Sequence, residues 1–312
     1  MFAPTISVVI ATLNRGPDLC NTLSYFLTGE DHPSFELIVI DQSDNIDDAT
    51  RELLVRYGAR LNYVRREQKS LTASRNAGIA LCKGRIVVFV DDDVQLFPGF
   101  LRAHNAAHAD PDTWGATGPV YSLQDTAAGR LEAIKRELAS QPLDAGPLSS
   151  VEWVPGCNMS FRRHVLHDIG GFDERYEIHC DDADISHRAK NAGGKLAFHP
   201  RAALIHLQNP SGGTRDKSTT PVRSNQYIRG YARSRIYFEW RMGRNPLRPW
   251  AMWKFARNIF LNHTARGEHR VLRSSLAFAL GFADAFRHRK HPLLIARVSE
   301  DVTRERYIVP RG

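Results

Sequence analysis

The chain has few cysteines and no pairing pattern among them. Cys20, Cys82, Cys157 and Cys180 are scattered without a CxxC, which argues against a zinc site and a disulfide framework alike. No GxGxxG follows the first apolar run and no GxxxxGK[ST] occurs anywhere. The usual phosphate cradles of dinucleotide oxidoreductases and P-loop NTPases are therefore missing. No apolar stretch reaches the roughly 18 residues of a membrane span, and no basic leader precedes the run at Ile6. The expectation is a protein of the reducing cytoplasm. Acidic charge is the minority sign: 34 Asp and Glu face 42 Lys and Arg, a net charge of +8. That balance suggests an anionic partner, whether a phosphate-bearing ligand, a membrane surface or nucleic acid.

What is present begins with three consecutive aspartates. Asp91, Asp92 and Asp93 directly follow the apolar run Ile86 to Val90, and Val94, Leu96 and Phe97 resume burial at once. Carboxylates this crowded repel one another unless a cation neutralises them, and Mg2+ or Mn2+ prefers such oxygen ligands. Strand alternation puts Asp91 and Asp93 on one side and Asp92 on the other. The competing reading is an acidic, solvated turn.

A chain of 312 residues can hold one large domain plus an appendage. Ile6–Ala11, Phe35–Ile40, Leu61–Val64 and Arg85–Val90 read as strands, with helices over Asp18–Leu27, Asp47–Tyr57 and Leu71–Leu81. This is an α/β pattern, βαβαβαβ, with a mainly parallel sheet. In such sheets ligands bind beyond the carboxyl ends of the strands, where Thr12, Asn14, Asp41 and the triplet fall. Further strands are expected near Gly115–Tyr121, Asn158–Phe161, Leu196–Phe198 and Ala203–His206, forming a mixed extension. The Gly- and Ser-rich stretch Gln208–Arg223 reads as a loop able to cover a ligand. The expected boundaries are a domain over 1–222, with halves 1–113 and 114–222, and a basic helical region over 223–312.

Six segments in order carry a resemblance: Ser7-Val-Val-Ile-Ala-Thr-Leu-Asn-Arg15, Leu37-Ile-Val-Ile-Asp41, Ser74-Arg-Asn-Ala-Gly78, the triplet, Gly156-Cys-Asn-Met159 and Gly170-Gly-Phe-Asp-Glu174, with Asp181-Asp182 after them. From Ile6 to about His206 the chain resembles family 2 glycosyltransferases, inverting enzymes of the GT-A fold that use nucleotide sugars. The resemblance implies a nucleotide site of Thr12, Asn14, Asp41, Arg75 and Asp92. In it Asp41 accepts from the base, Arg75 lies close to the diphosphate, and Asp92 meets the ribose or serves as a structural acceptor. It also implies a divalent metal, Mn2+ or Mg2+, on Asp93, with Asp91 a further ligand or a residue just behind the ligands, and with the late His206 joining it. Structural alternatives stand beside each role: a turn for Asp41, a solvated helix face for Arg75, an ordinary structural histidine for His206. UDP is the base such a resemblance implies first, with dTDP and GDP open.

Inversion requires a base for the acceptor hydroxyl, and the family pattern implies Asp182. Ile185, Ala189 and Ala192 mark a helical face, so Asp181, Asp182 and Asp184 fall at a helix N-terminus. There Asp181 and Asp184 suit a cap and its partner. Asp181 stands where the family has Glu. Asp181, Asn158 and Trp153 are the expected acceptor-side residues, the tryptophan as a platform for a sugar ring or as part of the core. The acceptor is expected to be a saccharide or a lipid-linked saccharide. In the tail, residues 223–290 carry fifteen Lys or Arg against Glu239, Glu268 and Asp284, interleaved with aromatic clusters. This suits an interfacial helix at an anionic membrane, or a helical subdomain; no recognised nucleic-acid module accompanies the charge. The rival functions are a nucleotidyltransferase, which also needs acidic metal ligands, and a non-catalytic nucleotide-sugar-binding or membrane scaffold.

Overall fold

The computed structural model describes residues 4–29, 34–127, 129–144, 149–176, 179–208, 225–243 and 268–288. Four parallel strands, β1 (Ile6–Thr12), β2 (Phe35–Asp41), β3 (Leu61–Arg65) and β4 (Ile86–Val90), lie in the order β3-β2-β1-β4. Their β-branched residues are buried on both faces, as a parallel sheet between helices requires. Val8, Ile10, Val39 and Val88 pack with Leu19 and Leu23 of α1 (Gly16–Ser24) and Leu54 of α2 (Asp48–Tyr57). Val9, Ile38, Ile40 and Phe89 pack on the other face with Ala77 and Ile79 of α3 (Leu71–Leu81). The connection reverses direction between β1 and β4, which opens a crevice beyond their carboxyl ends.

The sheet continues as expected in mixed form. Strand β9 (Asn158–Arg162) runs antiparallel to β4, and β6 (Thr113–Thr117) antiparallel to β9. Beyond them β10 (Lys195–Phe198) is parallel to β6, and β8 (Ser149–Ser150) is antiparallel to β10. A second sheet has β11 (Leu204–His206) at its centre, antiparallel to β5 (Val94–Leu96) and parallel to β7 (Val120–Ser122). The expected strand Gly115–Tyr121 is thus two strands in two sheets. The break falls at Gly118-Pro119: a Cβ on Gly118 would lie 2.1 Å from the Ala202 carbonyl, so the chains approach too closely there for any other residue.

Two helices that the sequence reading did not anticipate follow β5: α4 (Phe100–Ala107) and α5 (Arg130–Ser140). A short α6 (Arg163–Asp168) and α7 (Asp181–Asn191) complete this part. The first helix also ends earlier than expected, and a π-helical turn occupies Tyr25–Gly29.

The chain divides into two compact units. One comprises the described residues up to Phe172 together with those from Asp182 to Gln208; the other holds 173–181 and the C-terminal helices. In the second unit α8 (Asn225–Arg241) packs on α9 (Glu268–His288). Trp240 meets Phe286 edge-on at 4.5 Å, and Arg229 Nε lies 2.6 Å from Asp284 Oδ2. Within this unit Arg175 clasps Asp173 with two nitrogens, at 2.9 and 2.8 Å, and Tyr237 donates to the same carboxylate at 2.8 Å. The expected loop Gln208–Arg223, beyond Gln208, and the aromatic cluster Trp250–Phe260 lie outside the described residues.

Candidate active site

Short polar termini on long apolar strands put the candidate residues at one edge of the sheet. Thr12 ends β1, Asp41 ends β2, and the triplet follows β4. The second sheet supplies the rest. His206 pairs with Val94 across the β11–β5 ladder, and Leu207 N–H donates to the Asp93 carbonyl at 2.9 Å. That pairing carries the imidazole to the aspartates: His206 Nε2 lies 3.0 Å from Asp93 Oδ1 and 3.6 Å from Asp91 Oδ2. One donor atom from each of Asp91, Asp93 and His206 falls within 4.8 Å of the others. Two carboxylates and an imidazole in this arrangement suit a hard or borderline divalent ion such as Mg2+ or Mn2+.

Asp92 is not part of this cluster. Its Oδ2 accepts from the Thr12 hydroxyl at 2.7 Å and its Oδ1 from Arg15 Nη1 at 3.0 Å, all three side chains being buried. Burial pushes the Asp92 carboxyl up to about 7, against the opposing pull of the Arg15 charge and the Thr12 hydroxyl. Arg15 was not singled out from the sequence. Its signal was available: a lone cation directly after Asn14, three residues beyond the end of β1.

Asp41 is buried, and both its oxygens are engaged, one by the Ser43 amide at 2.7 Å and the other by the Tyr63 hydroxyl. Its turn role is therefore real, and Asp47 separately caps α2. Asn14 ties the β1 and β2 loops together: its amide donates to Ser43 Oγ at 2.7 Å, and its side chain exchanges hydrogen bonds with Asp44. Beyond β2 and β3 opens a pocket of about 460 Å3 lined by Gln42, Ser43, Asp44, Arg65, Arg66, Glu67 and Lys69.

Arg75 on α3 is buried, not a solvated surface residue. Its Nη2 donates to the Gly156 carbonyl at 2.8 Å and lies 3.4 Å from Asp91 Oδ1, with the guanidinium 5.4 Å from the centre of the Phe172 ring. The Gly156 amide in turn donates to Asp182 Oδ2 at 3.0 Å, while Asp182 Oδ1 accepts from Ala183 N–H at 2.8 Å. A continuous chain of contacts thus runs from Asp91 through Arg75 and Gly156 to Asp182. Burial, then the charges of Asp91 and Asp182, hold the Cys157 thiol well above its ordinary range.

The helix starts at Asp181, a buried residue, and Asp184 binds Arg188 Nε at 2.7 Å. Trp153 is half exposed and so not a core residue. Asn158 corrects the acceptor-side expectation: it is fully buried, and its amide nitrogen lies 2.8 to 3.4 Å from the carbonyls of Ala202, Gly118 and Pro119. Its oxygen accepts from His104 Nε2 at 3.0 Å, so the fully buried side chain bonds within the fold at both its nitrogen and its oxygen. Asn158 braces β9 against two loops.

Residues 3–233 match the family described as Glycosyltransferase like family 2. The chain belongs to this family. Over 143 residues, 44% of the chain, this glycosyltransferase is 31% identical to the pre-mycofactocin glycosyltransferase of Mycobacterium tuberculosis, of which the match spans only 30%. It is 24% identical over 216 residues to glycosyltransferase AglE of Haloferax volcanii, covering 67% of this chain and 69% of that protein. Among solved structures it is similar to the mannosyltransferase PcManGT of Pyrobaculum calidifontis, in complex with GDP-Man and Mn2+. That similarity has a TM-score of 0.56 and 15% identity, and covers 93% of this chain and 88% of that one. The fold is accordingly GT-A.

Proposed function

We propose that this glycosyltransferase transfers a sugar from a nucleoside-diphosphate sugar to a hydroxyl of a saccharide or lipid-linked acceptor, with inversion, in one in-line displacement. One observation carries the reading. The Asp91, Asp93 and His206 cluster sits where the strand order reverses, joined through Arg75 and Gly156 to a half-buried carboxylate, Asp182.

Asp91, Asp93 and His206 would hold Mn2+ or Mg2+, which neutralises the diphosphate charge as the nucleoside diphosphate departs. Arg75 would add a fixed positive charge on the same side. The nucleoside would lie over the ends of β1 and β2, toward the pocket beyond Asp41. Uridine is the base implied by family resemblance, and the Pyrobaculum neighbour carries a guanosine nucleotide. Asp182 is oriented by two backbone amides, each taking one lone pair of a different oxygen, so acceptor sites remain for the proton of an attacking hydroxyl. The exposed Trp153 ring is available as a platform for the acceptor sugar.

The lipid-linked class is favoured by α9. Leu276, Ala279, Leu280 and Ala283 recur at helical spacing and are all exposed, with Phe286 and Arg287 exposed one turn on. Residues 223–290 hold fifteen Lys or Arg against three acids, whereas the other 244 residues hold 27 against 31. The positive charge is thus concentrated in the stretch of sequence that carries this apolar stripe, a composition suited to an anionic lipid surface. No helix among the described residues is long and apolar enough to cross a membrane.

A thermal-shift panel of UDP, dTDP, GDP, CDP and ADP, each with and without Mn2+ or Mg2+, on wild type and Asp93→Ala tests the donor site. Stabilisation by one diphosphate that needs the metal and disappears in Asp93→Ala is expected. No response to any diphosphate would sink the reading.

A further inference from the structure

Each outer aspartate of the triplet is divided between an arginine and His206. Asp91 turns Oδ1 to Arg75 Nη2, at 3.4 Å, and Oδ2 to His206 Nε2, at 3.6 Å. Asp93 turns Oδ2 to Arg15 Nη1, at 3.3 Å, and Oδ1 to His206 Nε2, at 3.0 Å. The oxygens on the His206 side are the ones placed to meet an ion.

Arg15 is held firmly in this arrangement. The same Nη1 also binds Asp92 Oδ1 at 3.0 Å, and Asp92 is locked by Thr12 on its other oxygen. The triplet backbone is clamped from α1 as well: Thr22 Oγ1 donates to the Asp92 carbonyl at 2.8 Å and accepts from Val94 N–H at 3.1 Å. The Arg15 side chain is only 8% exposed and that of Asp93 fully buried, so neither reorients without moving the other.

We infer that Arg15 is a positioning residue that confines Asp93 to one ligand oxygen and thereby sets ion choice, favouring Mg2+ and Mn2+ over Ca2+. The physical reason is coordination number. Ca2+ takes six to eight oxygens in flexible geometry and readily accepts both oxygens of a carboxylate, whereas Mg2+ is six-coordinate with single oxygens. A guanidinium holding Oδ2 denies that second oxygen to the ion. This inference rests on the reading of Asp91, Asp93 and His206 as a cation site.

The test uses the whole chain without donor or acceptor. Free Mn2+ is followed by electron paramagnetic resonance, and Mg2+ and Ca2+ are titrated as competitors, for wild type, Arg15→Ala and Arg15→Lys. Removing a positive charge strengthens every divalent ion alike, so the ratio of Ca2+ to Mn2+ affinity is the discriminating quantity. It is expected to shift toward Ca2+ by about tenfold in Arg15→Ala, the scale of effect known for groups that orient metal ligands. Arg15→Lys keeps the charge but loses the planar fork, and is expected to shift the ratio in the same direction. Circular dichroism checks that Arg15→Ala folds; if it does not, Arg15→Lys decides. An unchanged ratio with Mn2+ binding retained overturns the inference while leaving the cation site intact. Wild type that binds no Mn2+ overturns both.

Discussion

Gly156 donates its backbone amide to Asp182 at 3.0 Å, and its carbonyl accepts from Arg75 at 2.8 Å. A single peptide segment therefore aligns the proposed base with the cation that also faces Asp91. Glycine matters at this position because a Cβ would lie 3.1 Å from Arg75 Nη2 and 3.2 Å from Nη1. Asp182→Asn keeps the shape and one of the two amide contacts, since one oxygen becomes an NH2 that cannot accept, and it removes the proton acceptor. It is expected to lower kcat by about 100- to 10,000-fold, the usual range for a general base, with nucleoside diphosphate binding unchanged. Gly156→Ala, by displacing Arg75, is expected to lower kcat less while also weakening diphosphate binding. Steady-state kinetics with calorimetric titration of the diphosphate separates the two patterns, and full activity in Asp182→Asn would assign the base elsewhere.

Trp153 presents half of its surface to solvent, whereas the other large apolar residues among those described are mostly buried. An exposed indole that contributes little to the core can be removed without unfolding the protein. If it stacks on the acceptor sugar equally in ground and transition states, Trp153→Ala raises the acceptor KM about three- to tenfold and leaves kcat and the donor KM unchanged. A loss confined to thermal stability would instead mark it as a packing residue.

The exposed stripe on α9 makes a prediction that does not depend on knowing the acceptor. Leu276→Glu with Leu280→Glu places two anions on a face that is already exposed, so the fold is expected to persist. The wild-type chain should co-sediment with vesicles containing phosphatidylglycerol, less so with phosphatidylcholine alone, and lose binding as salt rises. The double variant should remain in the supernatant. Equal sedimentation of both proteins would remove the stripe from consideration.

The legibility of this site in the sequence follows from which forces made each piece. The strands β1, β2 and β4 were readable because a parallel sheet buried on both faces needs unbroken β-branched runs, and the acids at their ends stand out against them. Other features depended on contacts distant in the chain. That His206 reaches Asp93 depends on β11 pairing with β5, a three-residue strand too short to carry a period. Helix α4 was hidden because its buried face holds His104 beside Phe100 and Leu101, and the position after its last turn holds His108, where apolar residues would have marked the repeat. Asn158 misled for a related reason: a polar residue within a family motif reads as a ligand contact, yet here it is fully buried and its nitrogen and oxygen bond within the fold.

Those two histidines give an acid-stability prediction with a definite sign. His104 Nδ1 and His108 Nε2 each lie 2.9 Å from the Ser160 hydroxyl, and both rings are buried. Burial drives each imidazole down, to about 3; the contact with Asn158 opposes this for His104 and the Thr113 carbonyl opposes it for His108. Nearby cationic or protonatable groups, His199 toward His104 and Arg162 and Arg85 toward His108, push the same way as burial. In the unfolded chain both titrate near 6.5. Between those values the unfolded state binds more protons, so each histidine stabilises the fold fully above about pH 6.5. That contribution falls by up to about 1.4 kcal/mol per pH unit as the pH drops toward 3. Asp92 acts in the opposite sense in metal-free protein. Its raised value makes the folded state the better proton binder from about pH 7 downward, so wild-type stability alone mixes the two effects. The difference between wild type and His108→Asn cancels the Asp92 term. Urea unfolding at a series of pH values from 7.5 to about 5 should show the variant less stable at neutral pH but losing stability more slowly on acidification, by close to one proton in the slope. Parallel slopes for the two proteins would mean that His108 takes up its proton while still folded.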